Sequence, residues 1–325
     1  MPLANLPPLV TVFGGSGFVG RHVVRALAKR GYRIRVAVRR PDLAGFLQPL
    51  GNVGQISFAQ ANLRYKDSVL AAVEGADHVV NCVGVLNDAS RNGFNAVHEL
   101  GAKLVAEAAK SVGATLTHIS AIGADANSPS QYARSKARGE ALVQQIVSDV
   151  VILRPSVVFG PEDDFFNKLG SMAAKMPFLP LIGGGETKFQ PVYVDDVAEA
   201  VVKSVDGALT SGVYELGGPE TLTFKDCLDK VLAATYREGR FVSLPFGIAS
   251  LIGSVTSLIP LLKPAITNDQ IQLLKKDNVV SAAAKQAGNT LEGMGIKPVG
   301  VDAVLPTYMV SYREHGQFSK AGRAA

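Results

Sequence analysis

Tyr132 and Lys136 stand four residues apart in the segment Gln131-Tyr-Ala-Arg-Ser-Lys136. If that segment is helical, the two side chains share one face and enter one cleft. An ammonium group beside a phenol favours the phenolate, which fits Tyr132 to donate and accept a proton in carbonyl chemistry. Ser120, at the end of a strand-like run from Thr115, is placed to hold a substrate oxygen. These three form the candidate catalytic set. The Tyr/Lys spacing arises by chance in many helices, so its weight comes from what precedes it.

What precedes it is a short apolar run, Val10 to Phe13, that ends in Gly14-Gly-Ser-Gly-Phe-Val-Gly20 and leads at once into a helical pattern of Val23, Val24, Leu27 and Ala28. Gly14 permits a tight turn, Gly17 permits close approach of a pyrophosphate, and Gly20 permits the helix to pack closely on the strand. Ser16, Phe18 and Val19 fall within the same loop, where the free N–H groups and the helix dipole receive the phosphates. A chain that binds NAD places Asp or Glu about 20 residues further on, against the ribose 2′-hydroxyl. Here the second strand ends in Arg39-Arg40-Pro41 instead. Guanidinium groups suit a 2′-phosphate, with Arg39 the leading candidate and Arg21 a second. The expected cofactor is NADP(H). Asn62 and Leu63 after the third strand, Val83 and Gly84 after the fourth, and Pro155 at the end of the sixth complete the expected contacts. Lys136 is expected to bond the nicotinamide ribose as well.

The elements that must position these residues follow from periodicity. Strands are expected near 9–13, 33–38, 55–59, 77–82, 115–119 and 150–154, and helices near 18–30, 66–73, 94–112 and 130–147. That alternation of near-continuous apolar strands with helices predicts an α/β fold with a doubly wound parallel (Rossmann) sheet over residues 1–155. Beyond it the rhythm loosens into loops, short strands and helices near 194–206 and 223–234. Residues 156–325 are expected to form a smaller C-terminal α/β lobe, with later segments threaded back onto the sheet. The 325 residues, 47% hydrophobic, supply ample core without disulfides or disorder. Cys82 and Cys227 are the only cysteines and are expected to be reduced core thiols; with scattered histidines they offer no metal set. A net charge of +5, dispersed along the chain, does not point to nucleic acid. The first eight residues lack a basic region and a long apolar core, and are not read as a signal peptide.

The glycine fingerprint, Ser120, Tyr132 with Lys136, Leu153-Arg-Pro155, Phe159-Gly-Pro161, Val194-Asp-Asp196 and Tyr214-Glu-Leu-Gly-Gly218 together resemble an extended or atypical short-chain dehydrogenase/reductase. More narrowly, four stretches resemble the NADPH-binding accessory subunits of respiratory complex I in their bacterial form. They are His118 to Asp125, Ser130 to Glu140, Gly160 to Asn167 and Gln190 to Val194. Similarity continues through Leu244-Pro-Phe246 and Pro264 to Gln270. The resemblance implies an NADPH held structurally, with partners among complex I subunits near the quinone-reducing region. It also implies a peripheral position on the cytoplasmic face of the inner membrane. Alternatives are an NADPH-dependent reductase or epimerase acting on a small carbonyl or sugar nucleotide, and an NmrA-like NADP-sensing regulator. Two departures from active epimerases bear on this choice. The interval from Ser120 to Tyr132 is short, which trims the substrate side of the cleft, and Asn62 stands where an Asp commonly meets the adenine.

Residues 241–262 carry no charge, and Pro245 and Pro260 bracket a helix too short to span a bilayer, which needs about 20 apolar residues. Gly247, Ser250, Ser254 and Ser257 share one face, while Ile248, Leu251, Ile252, Val255, Leu258 and Ile259 cover the rest. The segment is expected either to dock on a partner subunit or the membrane surface, or to be a core helix of the lobe. His118 is expected to be a core or hydrogen-bonded histidine, Asp195 to cap a helix starting near Val197, and the tail from Phe318 to fray.

Overall fold

Seven strands lie parallel in one sheet in the computed structural model, which describes residues 6–86, 93–257 and 267–319. Six arrive in chain order: β1 (Leu9–Phe13), β2 (Arg33–Val38), β3 (Ile56–Gln60), β4 (His78–Asn81), β5 (Thr115–Ile119) and β6 (Val151–Pro155). The seventh is β11 (Gly212–Leu216). Their spatial order, β3-β2-β1-β4-β5-β6-β11, reverses its direction of growth between β1 and β4. Val12 of β1 pairs with Val36 on one side and Val80 on the other. In open sheets of this kind ligands bind at such a switch point, beyond the carboxyl ends of the strands.

Both faces are covered, as the unbroken apolar strands require. On one face α1 (Phe18–Lys29) packs against α6 (Val194–Val205). There Val12, Val24 and Val36 converge on Gly15, whose missing side chain makes room for them. On the other face α2 (Lys66–Val73), α3 (Ala102–Ser111) and α4 (Gln131–Ile146) bury Val69, Val105 and Val143 against Phe13, Val79 and Ile152. Thr11, the polar exception in β1, donates its hydroxyl to the Ala72 carbonyl at 2.9 Å, so its burial leaves no unmet bond. The helix expected at 94–112 opens with a π-turn over Asn95–Gly101 before α3 begins. Gly139 of α4 lies so close to that turn that any Cβ there would collide with the His98 carbonyl oxygen.

The chain divides into two compact units. The first holds the described residues up to Pro155, Val194–Leu216 and Ala282–Lys297. Its last piece includes α10 (Ala282–Ala287), and Asn289 then bonds β11 twice, through Glu215 N and Val213 O. The second unit comprises Ser156–Tyr193 and the described residues of Gly217–Ser281 and from Pro298 onward. It contains three two-stranded pieces. Strand β7 (Val158–Phe159) lies parallel to β10 (Val192–Tyr193), and β8 (Phe178–Ile182) parallel to β13 (Arg240–Leu244). Strand β9 (Lys188–Phe189) runs antiparallel to β12 (Leu222–Thr223). Helices α5 (Phe165–Lys175), α7 (Phe224–Thr235) and α11 (Val301–Tyr308) close a core of Phe159, Phe166, Leu228, Val231 and Met309.

The apolar segment divides. Phe241 to Leu244 belongs to β13, and α8 (Phe246–Ser257) follows Pro245. Ala249 is buried with Ile182 and Ile271, the latter on α9 (Asn268–Leu273), whereas Ile248 and Leu251 are 51% and 65% exposed. Residues 258–262, including Leu258 and Ile259, and the side chains of Ile252, Ser254, Val255 and Ser257 lie outside the described set, as does the tail beyond Ser319.

Candidate functional site

The loop between β1 and α1 is built as its glycines require. Gly14 adopts φ +74°, and its N–H bonds Ala37 O at the end of β2. Gly17 N–H bonds Gly14 O at 2.9 Å and Gly17 stands at the N-cap of α1 without a side-chain cap. The N–H groups of Phe18, Val19 and Gly20 therefore begin the helix without intrahelical partners, an arrangement suited to phosphate. A Cβ on Gly20 would strike Gly14 O and Gly15 Cα, so Gly20 serves close packing of the helix on the loop itself rather than on the strand. A Cβ on Gly17 would meet only Gly14 O, at 3.2 Å, and would otherwise fill the cradle that a pyrophosphate would occupy. The residues present fit the group.

At the end of β2 the two arginines differ. Arg40 is held bidentately by Asp42, at 3.0 and 2.7 Å, whereas Arg39 is exposed and makes no ion pair among the described residues. Arg21 turns back onto the loop, donating to Ser16 O and Gly17 O, with its guanidinium 5.0 Å from the Phe46 ring centroid. At the end of β3, Asn62 Oδ1 accepts from Arg64 N–H, which leaves Nδ2 as the group facing no partner among the described residues. Leu63 packs into the core beneath and crowds Gly101.

At the other side of the switch point, Val83 lies against Gly14, and Gly84 lies against the Lys136 ammonium, its Cβ position 3.4 Å from Nζ. Lys136 is 5% exposed and donates to Ile119 O at 3.3 Å. With one bond for three donors, the ammonium has capacity for sugar hydroxyls. Burial depresses its pKa to about 8, against the opposing pull of Glu140 one helical turn away. Glu140 in turn is clamped by Arg154, at 2.9 and 2.5 Å. Ser120 follows Ile119, is 4% exposed, and its Oγ has no hydrogen-bond partner among the described residues. A buried hydroxyl left open in this way is costly, and a ligand oxygen would satisfy it. Pro155 ends β6 with its carbonyl accepting from Ile122 N–H. The site residues thus line the carboxyl ends of β1 to β6.

Several expectations need correction. Burial raises the Tyr132 phenol to about 12, so the phenolate is not favoured here: Lys136 directs its Nζ to Ile119 O, and desolvation dominates. Asp195 does not cap a helix near Val197. It sits in the first turn of α6, which begins at Val194, and binds His22 at 2.6 Å and Arg25 at 2.5 Å on α1. Burial pushes its carboxyl up, but its contacts with His22 and Arg25 outweigh that and hold it at about 2. Cys82 lies one residue beyond β4 and is half-buried; burial lifts its thiol to about 12. His118 is buried as expected, accepting from Asn81 at 3.2 Å, and is held at about 3 by burial and by Lys136. His98 was missed, because nothing in its sequence neighbourhood marks a π-turn. No cluster of potential metal ligands occurs among the described residues.

A parallel sheet with a glycine loop at its switch point and a Tyr-x-x-x-Lys helix beside it defines a Rossmann protein of short-chain dehydrogenase/reductase architecture. The chain belongs to the NAD dependent epimerase/dehydratase family, which matches residues 10–217. It is 35% identical over 322 residues to NADH dehydrogenase (ubiquinone) 1 alpha subcomplex subunit 9 of Arabidopsis thaliana mitochondria, covering 95% of this chain and 79% of that protein. It is 31% identical over 310 residues to the NADH-ubiquinone oxidoreductase 40 kDa subunit of Neurospora crassa, covering 95% and 80%. Similarity to the ceramide reductase of Caulobacter vibrioides is 33% over 194 residues, 60% of either chain. In fold it is similar to a UDP-glucose 4-epimerase of Thermus thermophilus in complex with NAD, with a TM-score of 0.67 at 21% identity, covering 94% and 99%.

Proposed function

We propose that this protein is an accessory subunit peripherally attached to respiratory complex I, and that it holds NADPH as a structural group. The observation that carries the reading is identity of 31–35% along 95% of the chain to two proteins named as subunits of that complex. The loop of Gly14 to Gly20 would take the pyrophosphate and Arg39 the 2′-phosphate. Asn62 and Leu63 would meet the adenine side, and Val83, Gly84, Lys136 and Pro155 the nicotinamide half. The partners would be subunits near the quinone-reducing region, reached from the cytoplasmic face of the inner membrane. The exposed Ile248 and Leu251 of α8 support a docking role for the 241–262 segment. The test is purification of complex I from native membranes under mild detergent, followed by nucleotide analysis. Stoichiometric protein carrying NADPH is the expected result; a free protein, or one carrying NADH, would overturn the reading.

A second reading, an NADPH-dependent reductase, is favoured by the open Ser120 hydroxyl beside an intact Tyr132/Lys136 pair. In it the bound nicotinamide would supply hydride, Ser120 would hold a carbonyl oxygen, and Tyr132 would protonate it. The high pKa of the buried Tyr132 leaves a neutral phenol, which is the donor form. Complementation separates the two readings. Tyr132→Phe should retain the biological role if the nucleotide is structural, and should lose it at normal protein and NADPH content if the site turns over.

A further inference from the structure

His98 is engaged near the site through both ring nitrogens and against two aromatic rings, and has no place in the catalytic set above. It lies on the π-turn Asn95–Gly101 and is 3% exposed. Its Nε2 receives the Val85 N–H at 3.0 Å, so the ring proton is on Nδ1. Nδ1 donates to Ser135 Oγ at 2.9 Å, and that hydroxyl donates to Tyr132 O at 2.8 Å. A single direction of donation therefore runs from the loop after β4, through the imidazole, to the first turn of α4. The ring also stacks on Phe94, with centroids 5.5 Å apart, and meets the Tyr132 ring edge-on at 5.5 Å. Gly84, immediately before Val85, is the residue lying against both His98 and Lys136 Nζ.

We propose that His98 is a positioning residue: it pins the Gly84–Val85 backbone and the Tyr132 ring so that, with Lys136, they shape the half of the site that takes the nicotinamide ribose. A turn of π-helix, which inserts an extra residue into the helical ladder, is a recurrent way of bringing one side chain into a functional site. The ring must stay neutral for this, because a proton on Nε2 would displace the Val85 N–H. Burial and the neighbouring Lys136 enforce that state by holding its pKa at about 3. The inference rests on the reading of the cleft as a dinucleotide site.

The test compares binding of NADPH with binding of adenosine 2′,5′-bisphosphate, which carries only the adenine half, to the full-length protein. His98→Leu keeps volume and removes both bonds; His98→Gln restores an acceptor and a donor on a flexible stem. The Leu variant should lose about tenfold or more in NADPH affinity, as expected for two lost hydrogen bonds, with less than about a twofold change for the bisphosphate. The Gln variant should recover part of the loss. Equal loss for both ligands, unchanged NADPH binding, or a Gln variant no better than Leu would overturn the positioning role. If the Leu variant does not fold, Ser135→Ala removes one link only, and the same split between ligands decides. Wild-type protein that binds neither ligand would overturn the dinucleotide reading itself, a distinct failure.

Discussion

Arg39 and Arg40 are adjacent and chemically identical, yet only Arg39 is left without a carboxylate. Arg39→Asp should therefore weaken NADPH binding by on the order of ten- to a hundredfold and narrow the preference over NADH, while Arg40→Ala should change it little. Calorimetry with both nucleotides checks this. The glycines separate in the same way. Gly20→Ala forces a Cβ into Gly14 O and should destabilise the protein even without nucleotide; Gly17→Ala should fold normally and fail to bind it. Thermal melts with and without NADPH tell the two apart, since a ligand raises stability only where it binds. Lys136 adds a pH signature. Its folded pKa of about 8 lies below the unfolded value of 10.5, so the unfolded chain binds more protons between those values. The contribution of Lys136 to stability should rise with pH through that window, by up to about 3 kcal/mol at 1.36 kcal/mol per unit, while the buried Cys82 and Tyr132, both lifted to about 12, contribute in the opposite direction above pH 9 to 10. Lys136→Met should therefore make the slope of denaturant midpoint against pH less positive than in wild type between pH 7.5 and 10.5.

At the scale of elements, α8 presents two faces with opposite consequences. Ala249 is 1% exposed against Ile182 and Ile271, while Leu251 is 65% exposed. Leu251→Glu should leave the protein folded, within about 0.5 kcal/mol of wild type, but release it from membranes or from complex I. Ala249→Glu should cost several kcal/mol, because an unpaired carboxylate would be buried. A Leu251 variant that unfolds, or that stays bound, would return α8 to a purely internal role. Pulldown and urea melts on the two variants give the answer. The staple between α1 and α6 belongs to this scale too: Asp195 joins helices far apart in sequence through His22 and Arg25.

For the molecule as a whole, acid should be the destabilising direction. His98 and His118 are both buried and neutral, with pKa values held at about 3 against 6.5 in the unfolded chain. Between those values the unfolded state binds more protons, so stability rises with pH and is lost as pH falls below 6.5. Urea midpoints should fall steadily from pH 7 to pH 4, and His118→Gln should lessen the slope. A midpoint independent of pH in that range would mean that one of the rings is charged or exposed in the native protein.

The alternation of apolar strands and helices, and the glycine loop at the first turn, were legible in the sequence because they are local. A buried parallel strand has to be apolar throughout, and a turn at φ +74° has to be glycine. The boundaries of β1 to β6 and of α1, α2 and α4 accordingly lie within a residue or so of the expected ones. The Tyr132/Lys136 pair was legible for the same reason, since four-residue spacing is a property of one helix. What the tertiary structure decided was everything set by neighbours remote in sequence. The state of Tyr132 follows from burial and from where Lys136 points, and Asp195 is claimed by α1 rather than by its own helix. Arg40 is spent on Asp42, and the buried Ser120 hydroxyl is left open among the described residues. His98 became visible only once Gly139 let α4 approach the π-turn, for a hydrogen bond between residues 37 positions apart leaves no periodic trace in the chain.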